Sequence, residues 1–380
     1  MKTTKFTIFA AAALAAAALH AEREIGFGVN AFWAVRGAAP QNRIQNNAVF
    51  SPFGFELDCC VMAEAFDSIG RANTAEIMGV LTDFNTVYPQ LIEKYDGSLA
   101  ATNGFSFLSA RALCLPNVFQ ANVDYRKRIA EMNGASVCLD FPIEGAQSWF
   151  RAKMDGEMED FYYPVTTKHD RSRYRFIDVI SAAAQLGAQS PATIQKGEFN
   201  PVPEEKLEID FIKTRADIAY RKMKNGIIVR VPLKGGAYLY AYTPFKGVQL
   251  SDLAETVNGE KVQELLASIE SVTLGDCAQT VADVYMPAMD FMCENDMRDA
   301  FMMAKIPESG FVNIDNALQK RTALQYMRFR LLPGTPDEGA EPPKPAPGGA
   351  QSFTFNRPFL FIVYFPDSNV IPAMGMFSCR

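Results

Sequence analysis

An α+β domain built around a large antiparallel sheet is the fold class this sequence predicts, on three observations. Helix signals dominate the first half of the 380 residues and strand signals the second, the segregated order expected of α+β folds. An apolar share of 48% with 12% aromatics supplies material for one deep core. Near the C-terminus, a proline-rich stretch that can pack in no core separates two apolar strand-like runs.

The chain opens with Lys2 and Lys5, then an apolar run from Phe6 to Leu19, then Leu19-His20-Ala21 with its small-residue exit. A charged start, a short apolar stretch and a small-residue exit read as a secretory signal peptide over residues 1–21. The run is too short and too alanine-rich to span a bilayer. The expected location is therefore secreted or periplasmic, with no membrane insertion once the signal is removed. Cleavage leaves 35 basic against 43 acidic residues, a net charge of −8. That disfavours nucleic acid, whose phosphates need a concentrated basic surface, and anionic membranes. By length, the mature chain fits either one large domain or two to three ordinary ones.

Ser51-Pro52 opens the first clear helix, expected over Phe53 to Glu64, with the preferred cap followed by proline at the first helical position. Further helices are expected over Thr74 to Leu81 behind Asn73, over Arg126 to Met132, and over Gln147 to Phe161, where Trp149, Met154 and Met158 form an apolar stripe. Phe176 to Leu186 is a near-continuous apolar run with the length of a buried central strand. Strand-type segments follow at Ile209 to Ile212, Ile227 to Pro232, Ala237 to Pro244, Val281 to Tyr285 and Met327 to Leu331. Phe359 to Phe365 and Ile371 to Phe377 are apolar enough to be buried strands. Pro333 to Gly349, PGTPDEGAEPPKPAPGG, holds six prolines and no large apolar residue. It reads as an exposed loop of polyproline character, and a loop of that length inside a compact domain is functional or disordered.

Enzymatic chemistry has little to work with. His20 leaves with the signal peptide, so His169 is the one mature histidine, and it lies in the charged stretch Lys168-His169-Asp170-Arg171 of a solvated loop. No nucleophile elbow, zincin, phosphate-loop or dinucleotide motif occurs. Glu159-Asp160 belongs to an exposed helix face. The chain is not expected to be an enzyme, and no cofactor is expected. Seven cysteines remain after cleavage, none in a C-x-x-C pair. Zinc is therefore disfavoured, no metal is expected, and an odd thiol is left over in an oxidising compartment.

These segments resemble, in order, the serpin family. Asn47-Ala48-Val49-Phe50-Ser51-Pro52 is similar to the family's Asn-x-x-x-Ser-Pro motif, and Gly70-Arg71-Ala72-Asn73-Thr74-Ala75-Glu76-Ile77 to the turn and helix that follow it. Ser148-Trp149 and Asp155-Gly156-Glu157-Met158 stand where the family has Asn-Trp and Thr-x-Gly-x-Ile. Val231-Pro232-Leu233-Lys234-Gly235 and Met286-Pro287-Ala288-Met289 resemble its Leu-Pro-Tyr-x-Gly and Leu-Pro-Lys-Phe segments. The fullest match is Phe353-Thr354-Phe355-Asn356-Arg357-Pro358-Phe359-Leu360-Phe361, then Ile371-Pro372-Ala373-Met374-Gly375, similar to the C-terminal signature.

The resemblance implies one domain over residues 22–380 with three sheets, and a reactive-site loop at 333–352. In inhibitory members a protease cleaves that loop and becomes acylated, and the loop inserts as a new central strand that carries the enzyme away. The hinge resembles Glu-x-Gly-x-Glu followed by alanines. Here Glu338, Gly339, Ala340 and Glu341 match in part, and Pro342-Pro343 stand where alanines begin. Proline brings no N–H to a ladder. Neighbouring residues of a strand direct their N–H groups to opposite sides, so Pro342-Pro343 breaks the ladder on both sides in any register, and Pro345 and Pro347 break it again. Alternation also puts Glu338, Ala340, Pro342, Lys344 and Ala346 on one face and Glu341 on the other, which turns a charge inward either way.

Lys344 is the one basic residue between Pro333 and Arg357, but Pro345 follows it. Ala346, Gly348, Gly349 and Ala350 complete the candidate protease-contact stretch, in which the bonds after Gly348, Gly349 and Ala350 are cleavable. By resemblance an Asn and a His beneath the opening sheet partner Ser51. Ser181 stands at the Asn position and Gln319 or Gln325 at the His position. The expected protein is a monomeric, non-inhibitory serpin that binds a protein or peptide partner; the alternative is a working serine or cysteine protease inhibitor acting through the loop.

Overall fold

The computed structural model describes residues 26–37, 47–78, 91, 93, 104–115, 121–132, 135–138, 143–162, 173–202, 204–245, 247–248, 257–270, 277–306, 311–314, 319–336 and 351–379. The signal segment 1–21, His169 and residues 337–350 lie outside them. The fold is α+β, as expected. In chain order the elements are α1 (26–37), β1 (Ala48–Phe50), α2 (Pro52–Ala63), α3 (Ser68–Ile77), β2 (Phe105–Cys114), α4 (Val123–Glu131), β3 (Ala135–Cys138) and α5 (Ile143–Lys153). Then come β4 (Arg173–Gln185), β5 (Thr193–Phe199), β6 (Leu207–Met223), β7 (Gly226–Pro232), β8 (Tyr238–Pro244), α6 (Val262–Glu270), β9 (Cys277–Pro287) and β10 (Asp290–Asp296). The chain ends through α7 (Arg298–Met303), β11 (Gln319–Leu332), β12 (Gln351–Thr354), β13 (Phe359–Phe365) and β14 (Val370–Phe377).

Among the described residues the strands form two hydrogen-bonded sheets. A nine-stranded sheet runs β1-β14-β13-β8-β7-β6-β9-β12, with β5 also on β6, and a five-stranded sheet runs β10-β11-β4-β2-β3. The resemblance implies three sheets. Two of these merge because β6, 17 residues long, pairs with β5 at one end and β7 at the other while β9 lies alongside.

Two apolar layers sandwich the five-stranded sheet. On one face, Ala110, Ala112, Ile177, Val179, Leu324 and Tyr326 meet Phe150, Met154, Met158 and Phe161 of α5 and the turns after it. On the other lies α2, with all but Glu56 of its twelve residues buried, the signature of a helix enclosed on all sides. A Cβ on Gly54 would strike the Ile180 side chain, so glycine is what lets α2 lie close against β4. Ser51 caps α2 as the sequence predicts, its Oγ accepting from the Gly54 N–H at 2.9 Å. The other helix starts move. Asp67, accepting from Gly70 N at 2.8 Å, starts α3 at Ser68 rather than at Thr74. Asn122 starts α4 at Val123 rather than Arg126.

Candidate functional site

The five-stranded sheet contains a central parallel pair. β11 and β4 run side by side over 13 residue pairs, from Gln319↔Arg173 to Leu332↔Gln185. Their outer neighbours β10 and β2 are both antiparallel to them. Parallel pairing is slightly weaker per residue than antiparallel, so this seam is the place where a further strand gains most. A segment turning back after Leu332 and entering the seam would run antiparallel to both β11 and β4. It would be flanked on both sides, so each N–H must meet one neighbour or the other.

A polar rung crosses the α2 face of this sheet at mid-height. Register aligns Arg111 of β2 with Asp178 of β4, Asp178 with Gln325 of β11, and Gln325 with Asn295 of β10. Each reaches toward the chain between β1 and the second turn of α2. Asn295 Nδ2 donates to the Val49 carbonyl at 2.7 Å. Ser51 N–H donates to Gln325 Oε1 at 2.8 Å, and Gln325 Nε2 donates to the Ser51 carbonyl and to Asp178 Oδ2, both at 3.4 Å. Arg111 Nε donates to Asp58 Oδ1 at 3.0 Å, and its guanidinium lies 3.6 Å from Asp178 Oδ1. Ser51, Asp58, Arg111, Asp178 and Gln325 are all wholly buried. Burial drives both carboxyls upward: Asp178 to about 6, opposed by Arg111, and Asp58 well above the usual carboxylate range, with neighbouring Asp178 adding to the rise and Arg111 opposing it.

Of the two glutamines considered for the position partnering Ser51, Gln325 is the one that meets it. The β4 residue beside Gln325 is Asp178, where sequence reading places Ser181. Ser181 is buried in the same seam opposite Arg328, but strand alternation turns it to the other face of the sheet. Sequence reasoning missed Asp58, Arg111 and Asp178. The available signal was a lone charge inside each of two apolar runs, FSFLSARALC and FIDVISAAAQL, and the acids Glu56 and Asp58 inside a third, FGFELDCCVMA, with signs that can compensate.

Residues 333–350 carry the chain from β11 to β12, whose Gln351 pairs with Ala282 on the edge of the larger sheet. The root of this connection is held. Leu186 N–H donates to the Leu332 carbonyl and Ala192 N–H to the Gly334 carbonyl, both at 3.1 Å, and Lys234 Nζ donates to Thr335 Oγ1 at 3.1 Å. A Cβ on Gly334 would collide with the Leu186 carbonyl oxygen. Gly334→Ala is therefore expected to lower the unfolding free energy by about 1–3 kcal/mol in a urea melt, the usual cost of overpacking. The hinge and loop candidates Glu338, Gly339, Ala340, Glu341, Pro342, Pro343, Lys344, Ala346, Gly348, Gly349 and Ala350 all fall outside the described residues.

Among the described residues, two sheets, a closed parallel seam, a buried helix beneath it and a long connection from the seam to the other sheet define the α+β class of this protein. The chain matches the family described as Serpin (serine protease inhibitor) over residues 27–379, and it belongs to the serpin family. Solved structures with the same fold include native protease nexin-1 with heparin, at 13% identity and a TM-score of 0.76, covering 95% of this chain and 99% of that one. Uncleaved ovalbumin gives 15% identity and a TM-score of 0.75, over 94% of this chain and all of its own. The thermophilic serpin Tengpin in its native state gives 15% and 0.74, over 95% and 94%. No curated protein matches the chain in sequence. Serpins are typically protease inhibitors rather than catalysts, and they act on protease partners. Among the described residues no helix is long and apolar enough to cross a membrane.

Proposed function

We propose that this serpin is exported after loss of residues 1–21, folds from residue 22 as one monomeric domain, and binds a protein or peptide partner through loop 333–352 without trapping a protease. The observation that carries this reading is Pro342-Pro343, with Pro345 and Pro347 close behind. After a turn at 333–336, filling a 13-residue seam uses roughly residues 337–349, so all four prolines would fall inside it. A strand there has no free edge, and proline is tolerated at edges, strand starts or bulges. Each missing ladder bond forfeits about 1 kcal/mol, and a stranded carbonyl adds about 1–3. The bonds at the root of the loop are a further hold against insertion. A polyproline segment is instead a pre-ordered ligand for an aromatic groove on another protein.

The alternative is an inhibitor of serine or cysteine proteases, favoured by the closed parallel seam itself and by the habit of the family. Incubating the purified mature protein with elastase-like, trypsin-like, subtilisin-like and papain-like proteases separates the two. The expected result is loop cleavage with full recovery of protease activity and no complex surviving SDS. A covalent complex with any of these enzymes overturns the non-inhibitory reading.

A further inference from the structure

The polar rung contains one cation and two acids. On the α2 side the titratable groups are Asp58 and Cys60, the latter a buried thiol whose titration burial pushes far up, with Glu56 and Glu64 acting on Cys60 from the same helix. β2 contributes Arg111, β4 contributes Asp178, and β11 and the helix cap contribute the uncharged Gln325 and Ser51. With both carboxyls ionised, the group would keep a net negative charge where water does not reach, a costly arrangement. The hydrogen bonding points the same way. Asp58 Oδ2 and Asp178 Oδ1 are buried and accept no hydrogen bond, while both carboxyl groups converge on the single guanidinium of Arg111. Two carboxylates so placed have acceptors and no donor, and a single proton between them supplies the donor and cancels the excess charge.

We propose that Asp58 and Asp178 keep one proton between them while the sheet is closed, and that its loss loosens the β4–β11 seam, making the protein a pH-responsive scaffold. Gln325 of β11 is hydrogen-bonded to Asp178 of β4 across that seam. When the strands part, water reaches the cluster and the carboxyls regain their ordinary acidity near 4. The closed form holds the proton more tightly than the open form. Opening is thus least favourable below the ordinary carboxyl pKa and gains roughly tenfold per pH unit until the closed-state value is passed, after which it levels. Burial raises the closed-state values of both carboxyls, so the gain accumulates as pH climbs above the ordinary carboxyl value.

Hydrogen exchange on the full mature chain tests this. Amide exchange rates, corrected for their intrinsic pH dependence, would be followed by mass spectrometry from pH 4.5 to 7.5 in peptides covering β4 and β11, with β6 and β9 as internal reference. Seam protection is expected to fall as pH rises from 4.5, by up to about tenfold per pH unit, with no such slope in the reference strands. Asp178→Asn and, separately, Asp58→Asn should flatten the seam slope. A seam without slope, a slope shared equally by β6 and β9, or a slope that survives in either variant overturns the proposal. The comparison of strands within the wild-type protein decides the matter even where a variant does not fold.

Discussion

Replacing Arg111 with methionine is expected to remove about 3–5 kcal/mol of unfolding free energy, the usual cost of taking one partner from a buried ionic group. Arg111 has no exposed surface and is bound to two carboxyls that have none either. Methionine replaces most of the apolar stem, so the loss reports the missing charge more than a missing volume. Adding Asp58→Asn and Asp178→Asn to Arg111→Met should recover most of the loss, because removing all the charges together leaves no ion uncompensated. The single variant also carries a pH signature. Both carboxyls lie above the ordinary range in the folded state, and removal of the cation raises them further. The folded form of the variant is therefore penalised most above those values and recovers as pH falls toward 4. Urea unfolding at pH 7.5 and at pH 5 measures both effects. A loss below 1 kcal/mol at pH 7.5 would mean that the rung is not the dry ionic group described.

The legible parts of this fold were those in which local chemistry and tertiary context agree. Ser51-Pro52 announces α2, and the apolar runs at β4, β7, β8, β13 and β14 announce strands that are buried or nearly so. For β6 the apolar pattern announces only Ile209 to Ile212, because charges at Lys213, Arg215, Asp217 and Arg221 break the run. Those residues lie within the strand, and charges spaced by two along one face are compatible with a half-solvated sheet. For α3, Asn73-Thr74 reads as well as a cap as Asp67-Ser68 does, and the sequence contains nothing that ranks them. The rung was beyond local reading. Arg111, Asp178 and Gln325 are brought together by strand register and Asp58 by the packing of α2 on the sheet, and a shift of three residues, such as that between Asp178 and Ser181, turns a side chain from one face to the other.

The same register sets the largest effect expected of the loop. Cleavage of the wild-type protein after Gly349, with removal of the protease, should leave its melting temperature unchanged, because the freed segment can complete neither ladder of the seam. Changing Pro342, Pro343, Pro345 and Pro347 together to alanine restores four N–H groups, that of residue 342 facing one neighbour of the seam and those of 343, 345 and 347 facing the other. At about 1 kcal/mol for each regained bond and about 1–3 for each carbonyl no longer stranded, the cleaved variant gains on the order of 10 kcal/mol relative to the cleaved wild type. For a domain of this size that corresponds to a rise of roughly 10 °C or more. The uncleaved forms should melt together, since the loop joined to β12 at Gln351 cannot lie along the seam as well. Scanning calorimetry of the four samples isolates the prolines as the cause: a rise on cleaving the wild type places the loop in the sheet despite them. A cleaved alanine variant that stays flat would instead assign the block to Glu341, whose charge faces inward whenever Ala340 and Pro342 face out.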